Sequence, residues 1–172
     1  MPTPSGTFTY VAPDDIRAAV VRPGAAGRAV RSPDDFREWL EGTGTAEREE
    51  PFTYVVGPGS TLLLAPRRSE PVACAGAGPV LAAGEIAFAV REDGGWEVSE
   101  VGNQSTGYCP DPEASWPALA AALDRAGLAR PGWFTQAVVF RHCPRCGERS
   151  LVKDGDFTCA LRDAPLPRRP GR

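Results

Sequence analysis

The chain has 172 residues, 42% hydrophobic and 24% charged, which is the size and balance of one globular domain with a small appendage. A formal net charge of −3 excludes a surface that wraps nucleic acid as a whole and leaves only a local basic patch for that role. No apolar run approaches the roughly 20 residues that span a bilayer, and the first ten residues lack a basic stretch followed by an apolar one. The expectation is a cytoplasmic protein with no membrane partner.

The elements follow in chain order. Phe8–Val11 reads as a short strand, and Pro13–Val21 as a short helix, with Ile16, Ala19 and Val20 at helical spacing behind Asp14 and Asp15. Ser32 as N-cap, Pro33 at the first helical position and Phe36, Trp39 and Leu40 on one face predict a second helix. Thr43–Glu50 is polar and reads as a solvated loop. Five runs follow with turn residues between them: FTYVV from Phe52, TLLLAP from Thr61, PVACAG from Pro71, EIAFAV from Glu85 and WEVSEV from Trp96. They predict an antiparallel β-meander over residues 51 to 101, with hairpin turns at Gly57–Ser60 and Glu92–Gly95. Ser115 as cap, Pro117 in the first turn and Leu119, Ala122, Leu123 and Ala126 as an apolar stripe predict a helix that ends at Gly127. Gly132–Cys143 reads as a strand leading into a cysteine motif, and the Pro- and Arg-rich tail from residue 164 to 172 is expected to be disordered. The fold class is therefore α+β: an antiparallel meander flanked by helices in residues 1–137, then a zinc-ribbon-like β-hairpin in 138–163.

Five cysteines are an odd number, and three stand within seventeen residues at metal-like spacing, which argues against a disulfide framework. Cys74 and Cys109 read as reduced, part-buried packing residues. Cys143-Pro-Arg-Cys146-Gly147 is a knuckle of the kind that turns backbone amides toward sulfur, and Asp154-Gly155 closes a hairpin that brings Cys159 opposite it. A closed structural zinc site takes four ligands, and the place three residues past Cys159 holds Arg162. Asp163, His142, a water molecule or a partner's side chain could serve instead. Asp163 is the easier protein ligand, because the adjacent His142 and Cys143 point to opposite sides of a strand. The expected cofactor is zinc in a structural site on Cys143, Cys146, Cys159 and Asp163; otherwise the fourth position is vacant.

The C-terminal region is basic, with Arg141, Arg145, Arg149, Lys153, Arg162, Arg168, Arg169 and Arg172, whereas the N-terminal half holds the acidic runs. Arg145, Arg149 and Arg162 form the face expected to meet a partner, which we read as another protein, with nucleic acid as the alternative. No aromatic cluster of the base-stacking kind accompanies it.

A second constellation is AAGE, Ala82–Glu85, with NQSTGYCP, Asn103–Pro110. Glu85, Asn103, Ser105 and Tyr108 are candidates for a ligand pocket, or for a turn whose side chains satisfy its own backbone. This pattern resembles a segment of bacterial toxin-like proteins and of the plant IQ-motif calmodulin-binding family, where an AAG element precedes Ser-Gly-His-Tyr-x-Pro. The resemblance covers residues 52 to 127, with Ser105, Tyr108 and Pro110 keeping the spacing. The histidine of that motif falls on Gly107, and an upstream His-Ser-Ser element is represented only by Arg68-Ser69-Glu70-Pro71. An imidazole general base is thus missing from this copy. The zinc deaminase pattern fails on the residues around Glu85 and Cys143, and no phosphate-binding loop or nucleophile elbow occurs. The functional expectation is a non-enzymatic adaptor that recognises its partner through the ribbon. The alternative is a small enzyme or ligand-binding domain using the Glu85 pocket.

Overall fold

In a computed structural model of the chain, residues 6–9, 26–69, 71–76, 78–105, 108 and 110–169 are described. The helix expected at Pro13–Val21 lies outside them, as do Cys109 and the last three residues of the tail. Of the first expected strand, Phe8 forms an isolated antiparallel bridge with Val80.

The α+β class is as expected. Strands β1 (Arg28–Val30), β2 (Phe52–Val56), β3 (Leu62–Ala65), β4 (Ala82–Val90) and β5 (Trp96–Val101) form one antiparallel sheet in the order β1-β3-β2-β4-β5. The order departs from a plain meander at two points, since β1 pairs with β3 and not with β2, and β4 pairs with β2 and not with β3. The chain leaving β3 must therefore pass β2, which is bonded on both sides, and a segment leaving the sheet plane cannot also pair within it. The PVACAG run accordingly forms one helical turn, Pro71–Cys74, and not the expected strand. Ala73 and Cys74 are buried there. Thr45–Arg48 is likewise one helical turn where a loop was expected, with Glu47 Oε2 accepting from the Gly44 amide at 3.2 Å.

Helix α1 is Pro33–Glu41, and it begins as expected, with Ser32 Oγ accepting from the Asp35 amide at 3.1 Å. In chain order, the turns Thr45–Arg48 and Pro71–Cys74 are α2 and α3, and α4 is Pro112–Arg125. Helix α4 starts four residues before the expected place. Its N-cap is Asp111, whose Oδ1 accepts from the Glu113 amide at 3.1 Å, and Pro112 takes the first position. Ser115 is buried inside the first turn and is not the cap.

Period-two alternation divides the sheet between two cores. Phe52, Tyr54 and Val56 of β2, Leu62 and Leu64 of β3, and Ala82 and Ile86 of β4 share one cluster with Phe36, Trp39 and Leu40 of α1 and Leu119, Ala122 and Leu123 of α4. Val55, Ala65, Cys74, Val80, Ala83 and Tyr108 form the other. Glu85, an odd-numbered residue of β4, belongs to this second face together with Thr53. The glycine of AAGE is a packing requirement: a Cβ on Gly84 would stand 2.2 Å from Gly102 O, the atom to which Tyr54 donates at 2.7 Å.

The expected strand Gly132–Cys143 is regular only over β6, Val139–His142. Before it the chain runs along the open side of β5, with parallel bridges Glu97↔Ala129 and Gly102↔Gln136. Thr135 Oγ1 accepts from the Val101 amide at 2.8 Å, so the sheet edge is covered. Strands β6 and β7 (Arg149–Val152) form a separate two-stranded hairpin with its own small cluster of Cys143, Cys159, Ala164 and Leu166.

The tail does not behave as expected over residues 164–169. Leu166 donates to Phe157 O at 2.7 Å, Thr158 bridges Pro165, and the Arg168 guanidinium lies 4.7 Å from the Phe157 ring centroid. Composition suggested disorder, but Ala164 and Leu166 are two of the few apolar residues available to close the hairpin unit, and both are buried. Among the described residues, no helix is long and apolar enough to cross a membrane.

Candidate functional site

The sulfur atoms of Cys143, Cys146 and Cys159 all lie within 4.8 Å of one another, with Cys146 and Cys159 at 3.8 Å. Cys143 and Cys159 are buried and Cys146 is part-exposed, and all three are free thiols. Such a donor set suits a soft or borderline metal ion, because thiolates are the protein's softest ligands.

Two backbone turns hold these sulfur atoms, and the turns repeat one another. In the first, Cys143 N donates to Glu148 O at 2.8 Å, Gly147 N donates to Cys143 O at 2.8 Å, and Gly147 has φ of 75°. In the second, Cys159 N donates to Ala164 O at 2.8 Å, Asp163 N donates to Cys159 O at 2.9 Å, and Asp163 has φ of 48°. The correspondence pairs Cys143 with Cys159, Cys146 with Arg162, and Gly147 with Asp163. Both fifth residues take the left-handed backbone that lets the chain fold back over the sulfur, a conformation open to Gly and more readily to Asp than to most other residues.

The environment of Cys159 favours its thiolate. The Leu161 amide, then the Ser150 hydroxyl at 3.6 Å, lower its pKa to about 7, with help from the Cys143 thiol and the Arg162 amide against the opposing effect of burial. At Cys146 the Glu148 amide also favours the thiolate, but burial and the sulfur atoms of Cys143 and Cys159 outweigh it, and the pKa is raised. Cys74 is a packing residue, as expected: burial pushes its thiol up to about 12, and a Cβ on Gly27 would stand 2.3 Å from its sulfur.

The four expected metal ligands are therefore brought together in part. Asp163 lies outside the three-sulfur group and is exposed, standing where Gly147 stands in the other turn. His142 is also outside it, with Nδ1 3.3 Å from Gly147 O. Of the expected partner-facing arginines, Arg145 and Arg162 are exposed in the two turns, and Arg149 is half-buried at the start of β7. Leu161 beside Arg162 is 70% exposed and Leu151 is 51% exposed.

Arg141, counted in the basic set by sequence, is not on that surface. It is 6% exposed, and its Nη1 donates to Asp111 Oδ2 at 2.7 Å and to Phe140 O at 2.8 Å, while Nη2 donates to Arg168 O at 3.2 Å. One guanidinium thus ties β6 and the tail to the N-cap of α4. Sequence reasoning missed this pair, although Asp111-Pro112 is itself a helix-start signature.

The second constellation divides. Asn103 Nδ2 donates to Pro110 O at 2.9 Å and to Val138 O at 2.7 Å, and its Oδ1 accepts from the Val138 amide at 2.7 Å. Tyr108 is buried and donates to Gly78 O at 2.7 Å, and Ser105 Oγ donates to Tyr108 O at 3.2 Å. These contacts satisfy backbone groups, Pro110 O and Tyr108 O within the loop and those of Val138 and Gly78 outside it. Glu85 and Ser105 line an open cleft of about 440 Å³, along with Thr53, Arg67, Glu100 and Gln136. Within it, Glu85 is paired with Arg67 at 3.4 Å. Asn103 and Tyr108 do not line it.

No family model matches the chain, and neither does any curated protein or solved structure, so the resemblance of residues 52–127 rests on its quoted residues alone.

Proposed function

We propose that the protein is a non-enzymatic adaptor whose C-terminal hairpin is a zinc ribbon that recognises an acidic segment of another protein. The observation that carries this reading is the buried Arg141–Asp111 pair, which fixes the hairpin unit to the sheet domain while Arg145, Arg162, Leu151 and Leu161 remain exposed on it. A surface held rigidly loses little freedom on binding. The region from Val139 onward carries eight basic and four acidic residues, a charge of +4 in a chain of −3, which complements an acidic partner. Zinc fits the donor set: thiolates 2.3 Å from one tetrahedral ion stand about 3.8 Å apart, the separation of Cys146 and Cys159. Zinc here supplies a crosslink between the two turns, and Ser150 and the turn amides orient and charge-balance the sulfur atoms.

The test is fluorescence anisotropy with glutamate-rich peptides containing a leucine or aromatic residue. Saturable binding that weakens at least about tenfold in an Arg145→Glu, Arg162→Glu double variant, while one zinc per chain is retained, is the expected result. Absent binding, or binding indifferent to the reversal, overturns the reading, as does stronger binding of a single-stranded oligonucleotide.

A second reading, a ligand-binding domain, has the 440 Å³ cleft behind it. The adaptor reading is better supported because Asn103 and Tyr108 serve the backbone and Glu85 is held by Arg67.

A further inference from the structure

The two turns around the sulfur cluster are the same backbone device used twice, and only one of them delivers its second ligand. The match runs through the bond from each first cysteine's amide to the carbonyl five residues on, the bond returned from the fifth residue's amide, and the positive φ of that fifth residue. Cys146 stands at the fourth place of the first turn, and Arg162 at the fourth place of the second. By that correspondence the missing vertex of the tetrahedron points at Arg162 and not at Asp163, whose place belongs to the turn-forming Gly147. Arg162 is exposed, so solvent reaches that vertex. A guanidinium is a cation at every accessible pH and cannot itself ligate.

We propose that a metal ion on Cys143, Cys146 and Cys159 keeps its fourth coordination position open to a thiolate from outside the chain, with Arg162 beside that position as its counter-charge. The proposal rests on the zinc-ribbon reading above. Chemistry selects the class of ligand. The three cysteines make the ion's surroundings sulfur-rich, and a fourth soft donor completes the tetrahedron. An anionic ligand is favoured over a neutral one next to a guanidinium. The thiolate comes either from a small thiol or from a cysteine of a bound protein, and the same sulfur-to-metal bond serves both.

The experiment uses the full chain loaded with Co(II) in thiol-free buffer, with the visible ligand-field and sulfur-to-cobalt bands as readout. Titration with 2-mercaptoethanol is expected to intensify and shift these bands saturably toward a four-thiolate spectrum. In a parallel arm, an acidic peptide with one cysteine is used. Saturation by the peptide at a concentration about tenfold or more below the small thiol assigns the ligand to a protein partner, and equal concentrations assign it to small thiols. Arg162→Cys is expected to show the four-thiolate spectrum without added thiol, to ignore both titrants, and to hold Co(II) more than about tenfold tighter. Arg162→Ala is expected to keep the response at a higher half-saturating thiol concentration. Bound cobalt whose spectrum is unmoved by thiol, or an Arg162→Cys variant that still responds, overturns the open position while leaving the ribbon standing. A chain that takes up no cobalt through its three cysteines overturns the ribbon reading and this inference with it.

Discussion

Around the five-stranded sheet, the buried set is aromatic and continuous: Trp39 meets Phe52 at 4.6 Å between ring centroids, and Phe36 meets Phe88 at 5.0 Å, both edge to face. Each such ring buries a large apolar area, and the edge-to-face contacts add to it. The hairpin unit has nothing comparable. Its buried apolar residues are Cys143, Cys159, Ala164 and Leu166, and two of those four are also metal-ligand candidates. The contrast shows what a unit of some thirty residues needs in order to hold a shape, since at that size a hydrophobic core alone falls short. Here the additional supports are a sulfur cluster suited to a metal and a buried ion pair to the larger domain.

That comparison can be broken most directly at the sulfur atoms. Replacing Cys159 with Ser is expected to take bound zinc from one per chain to none, read by metal analysis after gel filtration. The near-UV circular dichroism of the sheet domain, dominated by Trp39, Trp96 and Trp116, should survive the change. Loss of that signal would show that the two regions do not stand apart.

The next largest effect is expected at the junction. Asp111→Ala leaves the Arg141 guanidinium buried without its carboxylate, a change that costs about 3–5 kcal/mol, and it also removes the cap of α4. Asp111→Asn keeps a capping oxygen and isolates the charge, so it should recover the cap's share of about 1 kcal/mol in urea unfolding. Equal losses in both variants would mean that the cap contributes little.

A smaller loss is expected at Asn103, which joins the loop before α4 to the entry of β6 through three hydrogen bonds. Asn103→Ala orphans buried backbone groups at about 1–3 kcal/mol. If Asn103 were a ligand-binding residue, stability would instead be nearly unchanged.

Least is expected from Asp124, whose carboxyl is held below the ordinary aspartate range by its hydrogen bond to Arg130, while burial opposes the shift. A carboxyl that titrates lower in the folded chain contributes fully above its unfolded pKa, and the contribution fades as pH falls through the folded value. The pair is exposed, so Asp124→Asn should cost at most about 1 kcal/mol at neutral pH and nothing in strong acid. A pH-independent loss would remove the ion pair as its cause.

Much of the architecture was legible in the residues. Ser32-Pro33 with Phe36, Trp39 and Leu40 marked α1, because cap, proline and apolar spacing all point to one local answer. The runs from Phe52, Thr61, Glu85 and Trp96 marked strands for the same reason, although β4 begins three residues before its run, at Ala82. PVACAG misled because its composition suits a strand, whereas the neighbouring β2 has no free edge to offer it. Ser115 misled because a good capping residue stood near a better one, Asp111 with Pro112 behind it. In the candidate site, the spacing of Cys143, Cys146 and Cys159 announced the cluster, but the place of Asp163 in its turn was not readable. A spacing gives ligands in sequence, and only the backbone tells which residue forms the turn and which faces the ion.

The sequence by itself determined the class of fold, the positions of α1 and most strands, and the meeting of three cysteines, since each depends on residues close to one another along the chain. Tertiary structure alone decided which strand β4 would join, that Arg141 would be buried against Asp111 thirty residues away, and that the tail at Ala164 and Leu166 would close the hairpin unit. Those outcomes follow from competition between distant surfaces for the same edge, charge or apolar gap, and no local pattern records which one wins.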